Sequence, residues 1–363
     1  MKKIAVIGAG STGHAIAADL SILGYQINIY EKPCFKEKLE AIKGRGGIEI
    51  IKNGTRSFTK INMITTDIKK AINDVDIIIV SVLATKHEEY AKIVLPHIKD
   101  GQIIIISPGN AGSVVFWNKM YQMNIKKDIT IGDIEGNLYA CRLIEPATVF
   151  IGLPVTTKYV SAFPAIKTKK IIKNLSGIYN FLPAKNILET ALNVPNITHH
   201  LIASLLNTGS IENSGGKYYL YRNGLTPSII KCIKSIACEK NKVFNKLGYT
   251  DRYNIAFIEK AAKEDRFPEL SEFRALIGPT SMRHRYIVED AQIGVSLLVS
   301  LGKLLNVPTP ISKAVLRIAS VITDVDYIQE GRTLNSLGLS CMTPNQINKY
   351  LFYGKEGEIL ENN

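Results

Sequence analysis

Residues 2–20, KKIAVIGAGSTGHAIAADL, decide the fold. A short apolar run of strand length leads into Gly8, Gly10 and Gly13, spaced as G-x-G-x-x-G, and then into an alanine-rich run of helical character. Each glycine has its own duty in such a turn. Gly8 permits the tight bend, Gly10 lets the backbone approach a pyrophosphate, and Gly13 lets the helix pack closely on the strand. The helix begins with N–H groups that have no partner inside it, and these attract phosphate. Ser11 and Thr12, at that helix start, join the three glycines as candidate dinucleotide contacts. A lone G-x-G-x-x-G is a weak signal, and the strand before it and helix after it are what give it weight. The competing reading is a structural turn that holds no nucleotide.

QINIYE (26–31) reads as a second strand ending in Glu31. A carboxylate there can accept hydrogen bonds from the adenosine ribose and repel a 2′-phosphate, which favours NAD over NADP. Lys32 next to it would tolerate the phosphate, so both cofactors stay open. Further strand candidates are DIIIV (76–80), QIIIIS (102–107) and TVFIG (148–152). The third of these five strands is followed by Ala84, Thr85 and His87, and QIIIIS runs into SPGNAGS, with Pro108, Gly109, Asn110 and Gly112. Both loops would lie at the carboxyl edge of a parallel sheet, where ligands bind. Ala84, Pro108, Gly109 and Asn110 are therefore candidate cofactor contacts, against the plain reading of both loops as connections. After FLPAKNILETALN the periodicity turns helical, with segments near 197–207, 226–247, 254–263 and 291–305. The expectation is an α/β protein: an N-terminal doubly wound parallel sheet of Rossmann type over residues 1–186, then an all-helical domain over 187–363.

Composition agrees with that plan. A chain of 363 residues suggests two domains, and 46% hydrophobic residues suffice for two cores. The apolar start reads as a strand and not as a signal peptide. Stretches such as DIIIVSVLA stop well short of the roughly 18 residues that a membrane-spanning helix needs. The five cysteines, Cys34, Cys141, Cys232, Cys238 and Cys341, form no C-x-x-C pair and are odd in number. That usage fits reduced thiols in a cytoplasmic protein, with no metal site. The net charge of +13 is spread over scattered lysines without a basic stripe or interleaved aromatics. It argues against nucleic-acid and membrane partners and leaves only weak steering of anionic small molecules.

NITHHLIASLLNTGSIE (196–212) places two of the chain's six histidines side by side. Taken as a helix over 197–207 with Asn196 as N-cap, it turns about 100° per residue. Ile197, Leu201, Ile202, Leu205 and Leu206 then share an apolar face, while His200 and Asn207 fall on the opposite side with Ser204 near them. His199 points to the edge of the apolar stripe. The geometry prefers His200 as the residue aimed at a cleft. An imidazole near a helix N-terminus is discouraged from charging, so a general acid there needs an acidic neighbour.

That stretch resembles the N-P-x-x-H-P-x-x-x-L-L-N-x-G-x-I-E segment of the octopine/nopaline (opine) dehydrogenases. YACR (139–142), YRNGLTPSI (221–229), GPTSMRHRYIVEDAQIG (278–294) and NVPTP (306–310) match the family in the same order. The resemblance spans nearly the whole chain. Ile197 and Leu201 stand where the family has prolines. It implies that His200 is the catalytic histidine, with His199 in that role only if the register slips by one. It also implies that Asp290 and Arg285 complete the site in a helical domain of the 6-phosphogluconate dehydrogenase-like type. Asp290 would hold the imidazole and stabilise its charged form, and Arg285 would clamp a substrate carboxylate through its planar fork. The plain reading of RYIVED is an exposed Arg285–Glu289 helix pair. Asn207 and Tyr286, and less specifically Arg283 and Glu212, are candidate substrate contacts.

The implied reaction is NAD(P)H-dependent reductive condensation of an amino acid with a 2-oxo acid such as pyruvate, through an imine, to an N-(carboxyalkyl) amino acid. Its site would form between the two domains. Two rivals share the architecture: a 2-oxo acid reductase of the ketopantoate reductase kind, which typically relies on a lysine, and a non-catalytic NAD-binding sensor. A homodimer through the helical domain is compatible with the sequence, which does not specify the amino acid.

Overall fold

The computed structural model describes residues 2–153, 157–263 and 266–354. They form two compact units: residues up to 190 together with 351–354, and residues 191–350.

The first unit holds the strands β1 (Lys3–Ile7), β2 (Gln26–Tyr30), β3 (Ile48–Lys52), β4 (Thr55–Thr59), β5 (Met63–Thr65) and β6 (Ile77–Val80). They continue as β7 (Ile103–Ile106), β8 (Thr130–Ile134), β9 (Ala140–Glu145), β10 (Thr148–Leu153), β11 (Lys158–Phe163) and β12 (Phe181–Pro183). The main sheet runs β12-β11-β8-β7-β6-β1-β2-β5. It is parallel from β5 to β8, and β11 then pairs antiparallel with β8. Strands β1, β6 and β7 carry uninterrupted apolar runs and are buried on both faces, as parallel strands under helices must be. The order reverses between β1 and β6, so their carboxyl ends form the switch point at which such sheets bind ligands.

TVFIG does become a strand, β10, but in a second sheet of order β4-β3-β10-β9. Hydrophobicity identifies a strand without saying which sheet receives it. The β3–β4 hairpin closes through Asn53 and Gly54, at φ 52° and 72°, the backbone that a tight hairpin turn demands. Three helices of this unit adjoin the glycine turn and the two carboxyl-edge loops: α1 (Ser11–Ile22), α2 (His87–Val94) and α3 (Gly112–Gln122). Helix α1 packs on the main sheet from one side and on β3, β9 and β10 from the other. Its run of alanines, Ala15, Ala17 and Ala18, is fully buried, the small side chains letting both sheets approach.

In the second unit the main helices are α4 (Asn196–Leu205), α5 (Pro227–Leu247), α6 (Ser296–Leu304) and α7 (Pro310–Thr323). The segment expected at 291–305 is composite: a helical turn, Arg285–Glu289, passes into a π-helical turn, Asp290–Val295, before α6. Among the described residues, no helix is long and apolar enough to cross a membrane.

Helix α4 departs from the amphipathic wheel. Every residue from Ile197 to Leu205 is buried, because α5, α7, Arg285–Glu289 and the π-helical turn surround it. Asn196 is its first residue and not an N-cap, the capping position being Pro195. The helix ends at Leu205, so Leu206, expected on the apolar face, is 51% exposed.

Candidate active site

The glycine turn has the sterics that its spacing demands. Gly8 adopts φ +105°, and a Cβ there would stand 2.4 Å from the Ser81 carbonyl at the end of β6. A Cβ on Gly13 would stand 1.8 Å from the Gly8 carbonyl, while around Gly10 that position is open. No side chain caps α1. Ser11 and Thr12 turn their hydroxyls to β9: the Leu143 N–H donates to Ser11 Oγ at 3.1 Å, and Cys141 Sγ lies 3.9 Å from Thr12 Oγ1. The YACR motif is thereby tied to α1, with Tyr139 O–H donating to Asp19 at 2.6 Å. The open position at Gly10 and the uncapped helix end fit a dinucleotide phosphate; Gly8, Gly10, Ser11, Thr12 and Gly13 would hold it through backbone N–H groups.

Glu31 is turned into the protein. It is 3% exposed. Its Oε2 accepts from the Ala9 N–H at 2.9 Å, and its Oε1 from the Lys32 N–H at 2.9 Å and the Tyr90 hydroxyl at 2.6 Å. Lys38 adds its charge at 3.9 Å. Desolvation, followed by the bond to Glu31, raises the Tyr90 phenol far above its usual range. Lys32 meanwhile pairs with Glu89 and lies over the Phe35 and Tyr90 rings. The carboxylate therefore braces the glycine turn against β2 and α2.

Of the two carboxyl-edge loops, Ala84, Pro108 and Gly109 are buried, while Thr85 and Asn110 are partly open. The Gly109 N–H donates to Ile134 O at 3.0 Å, and Asn110 and Ala111 take φ 50° and 60° to turn the chain into α3. His87 is fully buried, its ring filling the space beside Gly112, where a Cβ would stand 2.4 Å from Nδ1.

In the helical unit the chain brings together residues 90 positions apart. His200 Nδ1 lies 2.8 Å from Asp290 Oδ2. The Tyr286 ring stacks on the imidazole at 3.7 Å and 18°, and Tyr221 O–H reaches Nε2 at 2.5 Å. His200 is 3% exposed, but this is a polar burial, with both ring nitrogens engaged. Burial pushes the Asp290 carboxyl up to about 7, with Arg285 pulling against that rise. Desolvation works against the Arg285 charge, yet Tyr286, Glu289 and Asp290 hold its proton more firmly than usual. Arg285 does pair with Glu289, at 3.7 Å, but the pair is not a solvated surface one: the two side chains are 29% and 6% exposed.

His199, at the same burial, has different company. Its ring stands edge-on to His200 at 4.7 Å and stacks on Tyr253, whose hydroxyl lies 3.4 Å from Nδ1. Burial first, then the proximity of His200 and Lys240, holds its pKa well below 6.5. Lys240 is itself fully buried and paired with Asp251 at 2.8 Å.

The remaining candidates divide. Tyr286 belongs to the His200 cluster. Asn207 instead donates to Ala203 O and Gly224 O, fastening the end of α4. Arg283 reaches out to Thr323 O and Asp324, and Glu212 is exposed. Ser204 is fully buried, its hydroxyl without a partner among the described residues. Tyr221 is the site residue that sequence reasoning missed: it opens the quoted YRNG motif, and nothing in a four-residue helix, Leu220–Asn223, marks which side chain turns inward.

Residues 183–323 match the family described as NAD/NADP octopine/nopaline dehydrogenase, alpha-helical domain, and residues 3–110 match NADP oxidoreductase coenzyme F420-dependent. An opine dehydrogenase from Arthrobacter sp. (strain 1C) is 29% identical over 94% of this chain and 96% of its own. A solved yersinopine dehydrogenase with NADP+ bound superposes with a TM-score of 0.65 at 16% identity, covering 99% of both chains. An octopine dehydrogenase described with NADH and pyruvate superposes at 0.63 and 17% identity, covering 100% of this chain and 98% of its own. At those identities the solved structures speak for the fold. The matched helical domain, the near full-length relative and the Rossmann-type sheet together support a place for this chain among the opine dehydrogenases.

Proposed function

We propose that the protein reductively condenses an amino acid with a 2-oxo acid of pyruvate type, giving an N-(carboxyalkyl) amino acid. The observation that carries this reading is the His200–Asp290 contact at 2.8 Å with Arg285 beside it. The bound nicotinamide cofactor supplies the hydride. The chain's residues have three tasks. Arg285 presents a planar fork to a substrate carboxylate, a bidentate match that an ammonium does not offer. His200 and Asp290 move protons: as the amine adds to the ketone, the carbonyl oxygen becomes hydroxyl and then water, and the second protonation needs an acid within reach. Asp290 accepts from Nδ1–H and so fixes the tautomer and stabilises the imidazolium. The stacked Tyr286 holds the ring in that plane. The glycine turn, braced by Glu31, positions the cofactor; with Glu31 engaged and Lys32 close by, both NADH and NADPH are expected to serve.

The test is a matrix of 2-oxo acids against amino acids, read as loss of nicotinamide absorbance with each cofactor. Amine-dependent turnover supports the proposal. Turnover with the oxo acid alone would favour simple ketone reduction, and cofactor binding without turnover a sensor. In the active pair, His200→Ala is expected to lower kcat by about 10²–10⁴-fold, the usual worth of a general acid–base group, with cofactor affinity nearly unchanged. If His199→Ala is the crippled variant, the assignment moves by one residue.

A further inference from the structure

We propose that Tyr221 is a further catalytic residue, the terminal donor that passes a proton from His200 to the substrate oxygen. The inference rests on the condensation reading above. It begins from the occupancy of the imidazole: Nδ1 meets Asp290 at 2.8 Å and Nε2 meets the Tyr221 hydroxyl at 2.5 Å. With the Nδ1 proton committed to the carboxylate, Nε2 is the only ring atom left to exchange a proton with substrate, and the phenol already holds it. A substrate oxygen bound directly to Nε2 would have to displace Tyr221. A phenol both donates and accepts, so a proton can instead cross it.

The placement of Tyr221 is built and not incidental. Its short helix is pinned to the loop before the Arg285 segment: the Leu220 N–H donates to Gly278 O at 3.2 Å, and the Gly278 N–H to Tyr218 O at 2.8 Å. Gly278 takes φ +124°, a conformation that side chains rarely adopt. The Tyr221 ring is backed by Phe273 at 4.2 Å and is 4% exposed. These contacts hold the ring with its hydroxyl against His200 Nε2.

The step balances without an outside reagent. The Tyr221 O–H bond breaks as an O–H bond forms on the carbinolamine oxygen, whose C–O bond breaks to release water and leave the protonated imine. The phenolate oxygen takes the Nε2 proton of the His200 imidazolium, leaving a neutral ring with Nδ1–H on Asp290. One proton from solvent reloads the array.

The test uses the full chain with an active substrate pair. Tyr221→Phe keeps the ring and removes the hydroxyl; kcat is expected to fall about 10²-fold or more, with the KM values of both substrates essentially unchanged. Unaltered or increased kcat would overturn the relay and make Tyr221 a latch over His200. The second measurement replaces Tyr221 with 3-fluorotyrosine, a more acidic phenol of nearly the same shape. A relay shifts the alkaline limb of the kcat–pH profile to lower pH, and an unmoved limb reduces Tyr221 to a positioning residue. Wild-type protein with no amine-dependent turnover for any pair would remove the condensation reading and the relay together, whereas a fully active Tyr221→Phe removes the relay alone.

Discussion

His199 and His200 are neighbours in the chain and equally buried at 3%, yet only one has an acidic partner. His199 stays neutral in the fold because burial, His200 and Lys240 all oppose its charge. The unfolded chain binds a proton there below about pH 6.5 and the folded chain does not, so His199 withdraws stability as pH falls through that value. In a series of melting temperatures, wild type is expected to lose ground to His199→Gln between about pH 7 and about pH 5; parallel curves would contradict the assignment. Arg285→Lys replaces a fork by a point charge, so its expected effect is a raised KM for the oxo acid with a smaller change in kcat. Normal kinetics would remove Arg285 from the site. Of this cluster, His200 was legible because helical geometry and family spacing converge on it, and Asp290 and Arg285 through the family spacing alone. Tyr221 was not, because its approach to His200 depends on the Gly278 bridge, a contact between segments that no local pattern announces. Asn207 lies beyond the end of α4 at Leu205, where the helical wheel no longer fixes its direction, and its amide fastens the chain to Ala203 O and Gly224 O.

At the scale of elements, the decisive contact is between α4 and the π-helical turn that begins with Asp290. A Cβ on Gly294 would stand 2.4 Å from Ile197 Cγ1 and 3.0 Å from its Cδ1. Isoleucine is stiff at χ1, so the two segments must part. Gly294→Ala is expected to cost about 1–3 kcal/mol, the usual penalty of overpacking, readable as a shifted urea midpoint. It should also lower kcat by loosening the His200–Asp290 contact; wild-type stability would show that the space yields. The sheet strands legible in the sequence were those dominated by apolar residues, β2 included despite Asn28 at its centre. TIGDI of β8 and TRSFT of β4 were silent because glycine, aspartate and exposed polar residues interrupt them. Helix α7 went unmarked despite a buried stripe of Ser312, Val315, Leu316 and Ala319.

At the scale of the whole molecule, the charge of +13 is the property that belongs to no single element. Scattered cations raise the local concentration of anions in a salt-dependent way. For dicarboxylic products and a 2-oxo acid substrate, kcat/KM is expected to fall with added sodium chloride while kcat holds steady; a flat response would leave the lysines a solubilising role only.

Glu31 extends that reasoning to the choice of coenzyme. An acid pulled on by two amides, a phenol and an ammonium behaves as a splint whose loss lets the whole nucleotide platform sag. Replacing it to convert the enzyme from one coenzyme to the other would then weaken the grip on both in similar proportion. Retargeting should start instead from Lys32 and Lys38, the two cations beside it.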